Sequence, residues 1–295
     1  MKVFILFLVE GVLDVHKQYL APAEITEYFI GVGRKKAALC VMNQIILGII
    51  AGAFVALACQ GTNVAIHTIE SVGLSKALAG ILFSTALMLV LLAGGELFTG
   101  NCLMVMALAD RKIALRSMLR GWLCVYAGNF IGSMLIVFLI NRSGQLGFSS
   151  GMLGGFTIKQ AAYKTGLTFE KAFIMGILCN WMVCIAVWMA AAAIDVTGKI
   201  SAILFPIWLF VTSGFEHSIA NMYYIPAGIF AKANPAFAEH SVKLGVTAEE
   251  LANLNWGSFF AANLLPVTLG NIVGGVFFVG LIYWFIYRER PCKGE

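Results

Sequence analysis

The sequence predicts an all-α integral membrane protein with six transmembrane helices, for two reasons. Hydrophobic residues make up 60% of the 295 residues and charged residues only 12%, which is about half the charged fraction of an average soluble domain. The hydrophobic residues also form long continuous runs and do not alternate every second residue, so helices are favoured over the strands of a barrel.

The apolar runs define the predicted spans, because a helix needs about 20 mostly apolar residues to cross a bilayer. The spans are Asn43 to Ile66, Lys76 to Gly95, Arg116 to Ile140, Ala172 to Ile194, Ala202 to Phe215 with an uneven continuation to Phe230, and Gly257 to Tyr287. They form one transmembrane domain, residues 37–290, between an N-terminal cytoplasmic or interfacial segment (1–36) and a short tail (291–295).

The orientation follows from the basic residues that flank the spans. An even number of spans puts both chain ends on the same side of the membrane. The basic residues are denser on that side, where they comprise Arg34, Lys35, Lys36, Arg111, Lys112, Arg116, Arg120, Lys199, Arg288, Arg290 and Lys293. The positive-inside rule therefore predicts a protein of the cytoplasmic membrane with both termini in the cytoplasm.

The first residues superficially resemble a signal peptide. An apolar run, Val3 to Val9, follows Lys2, but Glu10 interrupts it at the lower length limit of a signal sequence. Secretion of the N-terminus would also oppose the predicted orientation. We expect residues 1–14 to form a frayed or interfacial helix, or to be an extension that is not part of the native chain.

Net charge and cysteine content narrow the possible ligands. The net charge of +5 is too small for a nucleic-acid binder and is ordinary for cytoplasmic loops that face anionic lipid. The seven cysteines form no CxxC pair, and most of them lie in apolar runs, where cysteine acts as a small hydrophobic residue. We expect a lipid bilayer around the protein, and no nucleic acid, disulfide framework, metal site or cofactor.

The two halves of the domain, about 37–141 and 168–290, repeat the same motifs in the same order. The paired segments are Gly48–Ala58 with Gly176–Ala186, Gly95–Asn101 with Gly214–Asn221, and Gly128–Gly132 with Gly270–Gly274. Three spans per half is an odd number, so the second half enters the membrane from the opposite side, as in the inverted repeats of transporters. We expect breaks in spans two and five, at Glu96–Asn101 and Phe215–Ala220, that meet near the membrane midplane.

Polar residues cluster at these predicted breaks. Broken backbone within a membrane leaves N–H and C=O groups that protein or water must satisfy. We interpret Glu96 and Glu216 as caps of half-helix N-termini, with a direct transport role as the alternative. The asparagines at positions 101, 129, 180, 221 and 271 are interpreted as hydrogen-bonding residues between helices.

His217 is the one histidine inside a predicted span. A titratable residue within the membrane indicates a functional site by default, although a buried histidine can also be a structural hydrogen-bonding residue. Its position at the second break favours function, because a transport path would run there.

Two stretches carry a resemblance to a known family: GFEHSIANMYYIP from Gly214 to Pro226, and LPVTLGNIVGG from Leu265 to Gly275. With these motifs the chain resembles the formate/nitrite transporter family, which includes formate, nitrite and hydrosulfide channels, over about residues 22–290. The resemblance implies an aquaporin-like protomer, a homopentamer with one pore per protomer, and small monovalent anions such as formate, nitrite or hydrosulfide as substrates.

The resemblance also implies roles for individual residues. The pore histidine of the family matches His217, and its mobile-loop threonine matches Thr99. The two apolar constrictions of the family match Leu87, with Phe83 and Phe98 nearby, on one side and Phe210 on the other. Its vestibule lysine matches Lys164, and its two asparagines match Asn180 and Asn221. Two stretches, Gly100–Asn101 and Thr165–Leu167, depart from the formate-channel branch, and they leave nitrite and hydrosulfide open beside formate as the preferred substrate.

The same residues suggest a mechanism on physical grounds. A bare anion pays a large desolvation cost in a dry apolar constriction, whereas the neutral acid does not. Lys164, expected in a polar outer loop, would concentrate the anion at the periplasmic mouth. Thr99 and Asn221 would replace lost water, and His217 would donate a proton or a hydrogen bond. The alternative is a membrane anchor subunit of a redox enzyme, in which His217 ligates haem or lines a quinone pocket.

Overall fold

The computed structural model describes residues 19–288. These residues form helices throughout and contain no β-strand, apart from an isolated bridge between Tyr19 and Ala193. The expected interfacial helix of residues 1–14 and the tail of residues 291–295 lie outside the described residues.

The first half comprises six helices. They are α1 (Pro22–Ala38), α2 (Val41–Ile66), α3 (Val72–Met88), α4 (Phe98–Asn101), α5 (Val105–Ala109) and α6 (Leu115–Ser143). A π-helical segment, Leu89–Gly94, extends α3, and a 3₁₀ turn, Cys102–Met104, joins α4 to α5. A 3₁₀ segment, Gln145–Gly151, then leads into the connecting helix α7 (Met152–Thr165).

The second half has the same order of elements with an added outer loop. Its helices are α8 (Phe169–Ala192), α9 (Val196–Ser213), α10 (Ser218–Ala231), α11 (Pro235–Lys243), α12 (Ala248–Asn253), α13 (Trp256–Ser258), α14 (Leu265–Gly275) and α15 (Ile282–Tyr287). Two π-helical segments, Phe259–Leu264 and Val276–Leu281, make α13 to α15 one continuous span.

The six predicted spans are confirmed, with shifts in two boundaries. Span two begins at Val72 and span five at Val196, both earlier than predicted from hydropathy. In each case a polar side chain caps the helix start: Ser71 accepts from the Leu74 N–H at 3.4 Å, and Asp195 accepts from the Gly198 N–H at 2.8 Å. A cap fixes where a helix begins even when the first residues are not strongly apolar.

Close helix packing relates the two repeats. A Cβ atom placed on Gly48 of α2 would lie 2.8 Å from the carbonyl oxygen of Val125 in α6. At the matching position, a Cβ on Gly176 of α8 would also lie 2.8 Å from a carbonyl oxygen, that of Val267 in α14. Only glycine permits this approach of two backbones, so the paired glycine motifs mark equivalent crossings and confirm the inverted repeat.

Large apolar side chains cover the outside of the bundle. Leu123, Phe205 and Phe285 are 71%, 60% and 68% exposed, whereas polar side chains such as Asn129 and Asn271 are completely buried. This inside-out distribution is typical of a protein whose solvent is lipid, and it places the polar groups around the two helix breaks.

Candidate functional site at the two helix breaks

The chain leaves helical geometry at equivalent points of the two repeats. Leu97 has φ −106° and ψ 125°, and His217 has φ −109° and ψ 116°. The extended segments are shorter than predicted, because helix resumes at Phe98 and at Ser218. The predicted breaks at Glu96–Asn101 and Phe215–Ala220 are therefore correct in location, but most of their residues are helical.

Asparagine side chains satisfy the broken backbone in both repeats. The Asn129 Oδ1 accepts from the Phe98 N–H at 3.0 Å, and its Nδ2 donates to the carbonyls of Gly48 and Glu96 at 2.8 and 2.9 Å. Asn271 makes the same three contacts in the second repeat, with the Ser218 N–H at 2.9 Å and two carbonyls at 2.8 and 3.0 Å. Each asparagine therefore binds the two backbone groups, one N–H and one C=O, that the break would leave unpaired, and ties them to a carbonyl of a neighbouring helix, that of Gly48 or Gly176.

This arrangement corrects the expectation that Glu96 and Glu216 cap the half-helices. Both carboxylates bind side chains instead. Lys36 Nζ lies 2.9 Å from Glu96 Oε2, which also accepts from Asn101 Nδ2 at 2.8 Å. Lys36 Nζ donates to Asn101 Oδ1 at 2.6 Å as well. The first repeat thus holds a closed lysine–glutamate–asparagine cluster beside its break.

The second repeat holds the equivalent cluster. Lys164 Nζ lies 2.7 Å from Glu216 Oε1, and Glu216 Oε2 accepts from Asn221 Nδ2 at 2.7 Å and from Asn263 Nδ2 at 3.2 Å. Lys164 was expected in a polar outer loop. It lies instead in the last turn of α7, with its side chain only 12% exposed, because α7 folds back against α10.

Sequence reasoning missed Lys36 and Asn263 as site residues. Lys36 carried a detectable signal, since it precedes Gly48 by the same interval at which Lys164 precedes Gly176. Asn263 carried none, because no asparagine occupies the matching position in the first repeat. Gln44 performs the corresponding task there by donating to the Lys36 carbonyl at 3.2 Å, as Asn263 donates to the Lys164 carbonyl at 2.9 Å.

A direct contact between Thr99 and His217 joins the two breaks. Thr99 Oγ1 lies 3.0 Å from His217 Nε2, while His217 Nδ1 accepts from the Ala220 N–H at 3.1 Å. Because Nδ1 is an acceptor, the ring proton of the neutral imidazole lies on Nε2 and points to Thr99. The threonine hydroxyl proton then remains free to donate to another group.

Two cavities approach this contact from opposite ends. The Lys36 cavity, about 390 Å³, is lined by Lys36, Leu87, Leu97, Gly100 and neighbouring residues. The Lys164 cavity, about 120 Å³, is lined by Lys164, Phe83, Phe210, Glu216, His217, Asn221 and neighbouring residues. Thr99 is followed by Gly100, which lines the Lys36 cavity, and contacts His217, which lines the Lys164 cavity. The Thr99–His217 contact therefore lies between the two cavities.

Aromatic rings narrow the Lys164 side. The rings of Phe83 and Phe210 meet edge to face at 5.9 Å, and their centroids lie 6.5 and 6.2 Å from that of His217. Phe83 therefore groups with Phe210, which corrects its expected position beside Leu87. Leu97, missed by sequence reasoning, accompanies Leu87 on the other side and is 5% exposed.

Phe98 and Asn180 contact neighbouring elements of the site but line neither cavity. Phe98 packs against Trp122 and Tyr126, with centroids at 5.8 and 4.8 Å, and does not line either cavity, unlike the expected pore role. Asn180 Nδ2 donates to the Asn271 carbonyl at 2.6 Å and to the Thr99 carbonyl at 3.3 Å. It therefore links the Thr99 segment to the helix that caps the other break.

His217 is poorly placed to ligate haem. Both of its ring nitrogens are engaged by protein groups, so axial ligation of haem would require breaking one of these contacts. Within residues 19–288, no group of three His, Cys, Asp or Glu side chains is placed to hold a metal ion.

Comparison with known proteins identifies the family. The sequence profile described as formate/nitrite transporter matches residues 23–285. The chain is 39% identical over 273 residues to the formate channel FocA of Haemophilus influenzae, covering 92% of this chain and 96% of that protein. It is 38% identical over 275 residues to the formate channel FocA of Escherichia coli K12, covering 92% and 95%.

A solved structure agrees with this assignment. A pentameric formate channel with formate bound superposes with a TM-score of 0.74 at 36% identity, covering 84% of this chain and 98% of that one. These proteins are channels, so the comparisons do not support the alternative of a redox anchor subunit. The predicted resemblance is confirmed: the chain is a multi-pass membrane protein and belongs to the formate/nitrite transporter family.

Proposed function

We propose that this chain conducts small monovalent weak-acid anions across the cytoplasmic membrane, with formate as the first candidate. The names of its relatives as formate channels support formate. The departures at Gly100–Asn101 and Thr165–Leu167 are the reason to test nitrite and hydrosulfide beside it.

The proposed path runs from one cavity to the other through the Thr99–His217 contact. From the Lys36 cavity an anion passes Leu87 and Leu97, meets the Thr99 hydroxyl and the His217 ring, and leaves between Phe83 and Phe210. Large apolar side chains at a narrow neck exclude water and raise the barrier for a charged ion. A weak acid crosses such a neck more easily because it can travel as the neutral species.

The single observation that carries this proposal is the 3.0 Å contact between Thr99 Oγ1 and His217 Nε2. It brings two donors from opposite repeats to the one buried point that separates the cavities. An anion that loses water there can accept a hydrogen bond from the Thr99 hydroxyl, while His217 Nε2–H donates a hydrogen bond to Thr99 Oγ1. Hydrogen bonds to a charged acceptor are the stronger kind, so this pair offsets part of the desolvation cost.

We also propose a homopentamer with both termini in the cytoplasm. The pentameric state of the solved relative supports the assembly, and the exposed apolar side chains leave wide surfaces for neighbouring protomers and lipid. The density of basic residues on the terminal side supports the orientation.

The decisive experiment is flux into proteoliposomes that contain the purified protein. Formate, nitrite, hydrosulfide, acetate and chloride are supplied separately, and uptake is compared with that of protein-free vesicles. We expect rapid flux of one or more of the first three anions and little flux of chloride, whose acid is strong. Absence of flux for all three weak-acid anions would contradict the proposal.

A further inference from the structure

The Lys164 cavity has a net positive charge that does not come from Lys164. Its charged lining residues are Lys76, Lys164 and Glu216. Lys164 and Glu216 form a 2.7 Å ion pair, so their charges balance. Lys76 forms no ion pair and donates no side-chain hydrogen bond within the described part of the chain. The uncompensated charge of the cavity is therefore that of Lys76.

Lys76 is held where an anion would arrive. It lies in α3, and its Nζ would be 3.2 Å from a Cβ atom placed on Gly214, at the C-terminal end of α9. The C-terminal end of a helix favours a cation. Phe83 follows Lys76 on the same helix face by seven residues, or about 10 Å at 1.5 Å per residue, and also lines the cavity. Lys76 thus lies about two helical turns before Phe83 along α3.

The same cavity contains a buried hydrogen-bond donor for which residues 19–288 provide no acceptor. Asn63 of α2 is 1% exposed, lines the cavity, and its Nδ2 has no hydrogen-bond partner among these residues. A buried amide N–H is costly to leave unsatisfied, so a native unpaired donor beside a cavity indicates a site for water or ligand. This observation is independent of the charge on Lys76.

The charge pattern recurs at the other end of the path. The Lys36 cavity is lined by Lys36, which is ion-paired with Glu96, and by Lys199, for which the described residues provide no ion-pair partner. Lys199 lies near the start of α9, as Lys76 lies near the start of α3. Each cavity therefore combines a neutral lysine–glutamate pair with one unpaired lysine.

We propose that Lys76 Nζ and Asn63 Nδ2 form a capture site for a small two-oxygen anion, a carboxylate or nitrite, between the mouth of the Lys164 cavity and the Phe83–Phe210 neck. The proposal rests on the proposed anion conductance and names the residues that give the Lys164 side its affinity. Two donors from different helices match an anion with two oxygens. Hydrosulfide offers a single sulfur and gains less from the second donor, so Asn63 favours formate and nitrite over hydrosulfide.

The test measures apparent KM for formate and for hydrosulfide in proteoliposomes. Lys76→Gln should raise the KM for both anions by about tenfold, the order by which a charged cleft concentrates an ion, and the loss should shrink at high salt. Lys76→Arg should preserve the KM. Asn63→Leu should raise the KM for formate by roughly threefold to tenfold, as for one lost hydrogen bond, and change that for hydrosulfide less. Lys171→Gln, an exposed lysine that does not line the cavity, is the matched control.

The outcomes separate this proposal from the proposed function. If the parent protein carries no formate, nitrite or hydrosulfide, the conductance itself is refuted. If the parent conducts but Lys76→Gln behaves like Lys171→Gln, Lys76 does not capture the anion and the site is wrong. An unchanged formate-to-hydrosulfide preference in Asn63→Leu also overturns the site, and this variant serves alone if Lys76→Gln does not assemble.

Discussion

Leu97 and His217 occupy the same backbone position in the two inverted repeats. Their φ and ψ angles agree within ten degrees, each follows a glutamate paired with a lysine, and each precedes a residue whose N–H is capped by an asparagine. Near-identical scaffolds thus present an apolar side chain toward one cavity and a hydrogen-bonding ring toward the other. The repeat supplies symmetry in structure, and the exchange of Leu97 for His217 is one of the substitutions that make the path chemically asymmetric.

Replacing a neck residue should speed conduction and loosen selectivity. Leu87 and Phe210 are 4% and 2% exposed and each lines a cavity. Leu87→Ala or Phe210→Ala should widen the neck and admit water, which lowers the barrier for charged and larger anions. The measurement is the flux of formate against acetate.

Leu209→Ala is the matched control, because Leu209 is 56% exposed on the same helix as Phe210. Its flux should equal that of the parent. If Leu87→Ala and Phe210→Ala also leave flux and selectivity unchanged, the constrictions lie elsewhere on the path.

The Lys164–Glu216 pair should behave as a balanced unit. The Glu216 side chain is 1% exposed, so Lys164→Gln leaves a buried carboxylate without its cation, which typically costs 3–5 kcal/mol. We expect a lower melting temperature and a higher KM for formate, because the uncompensated negative charge of Glu216 repels the anion. The double variant with Glu216→Gln removes both charges and should recover most of both losses.

This comparison distinguishes two roles of Lys164. If Lys164 mainly balances Glu216, the double variant recovers the parent KM. If the KM of the double variant stays as high as that of Lys164→Gln, the charge of Lys164 itself captures the anion, as expected from the sequence.

The capping asparagines should be among the most sensitive positions for stability. Asn129→Ala and Asn271→Ala each leave two buried backbone groups of a break, one N–H and one carbonyl, without partners. At about 1–3 kcal/mol for each unsatisfied group, and with water replacing some contacts, we expect a loss of about 2–5 kcal/mol. Thermal unfolding in detergent measures it. Asn141→Ala, at an exposed position of the same helix as Asn129, should change little, and equal melting temperatures for all variants would contradict the capping role.

The sequence was sufficient for the spans, the repeat and the location of both breaks, because these depend on hydropathy and on glycines that recur in order. It was insufficient for side-chain partners across the fold. Phe83 and Leu87 lie one turn apart on one helix face, and only the three-dimensional path of α9, which brings Phe210 against Phe83, shows that the two residues line different cavities. Lys164 looked like a loop residue because the polar stretch around it does not reveal that α7 packs against α10.

The orientation of the chain can be read by cysteine labelling in intact cells. In a background with Cys40, Cys124 and Cys292 replaced by serine, Lys243→Cys should react with an impermeant maleimide from outside. Lys112→Cys, between spans two and three, and a cysteine at Lys293 should react only after the membrane is opened. This follows from the basic-residue distribution. Labelling of all three sites from one face would contradict the six-span topology.

His217 should control the pH dependence of flux. In the empty path its ring is neutral, because Nδ1 accepts from the Ala220 N–H and Nε2–H faces Thr99. An anion that arrives beside the ring favours the protonated form, since an opposite charge at close range stabilises it. Protonation at Nδ1 would displace the Ala220 contact, so we expect uptake of the proton to be coupled to passage of the anion.

His217→Asn separates the structural role from the titration. Asparagine is a good N-cap residue, so it can still accept from the Ala220 N–H and keep α10 in place, but it takes up no proton. We expect slower flux and a flatter dependence on pH, after the titration of the transported acid is subtracted. Thr99→Val, which removes the hydroxyl and nearly preserves the volume, is the companion variant and should reduce flux while retaining the pH dependence. A pH profile in His217→Asn that matches the parent would mean that His217 only holds Thr99 and the helix start, and that any proton reaches the anion from bulk water.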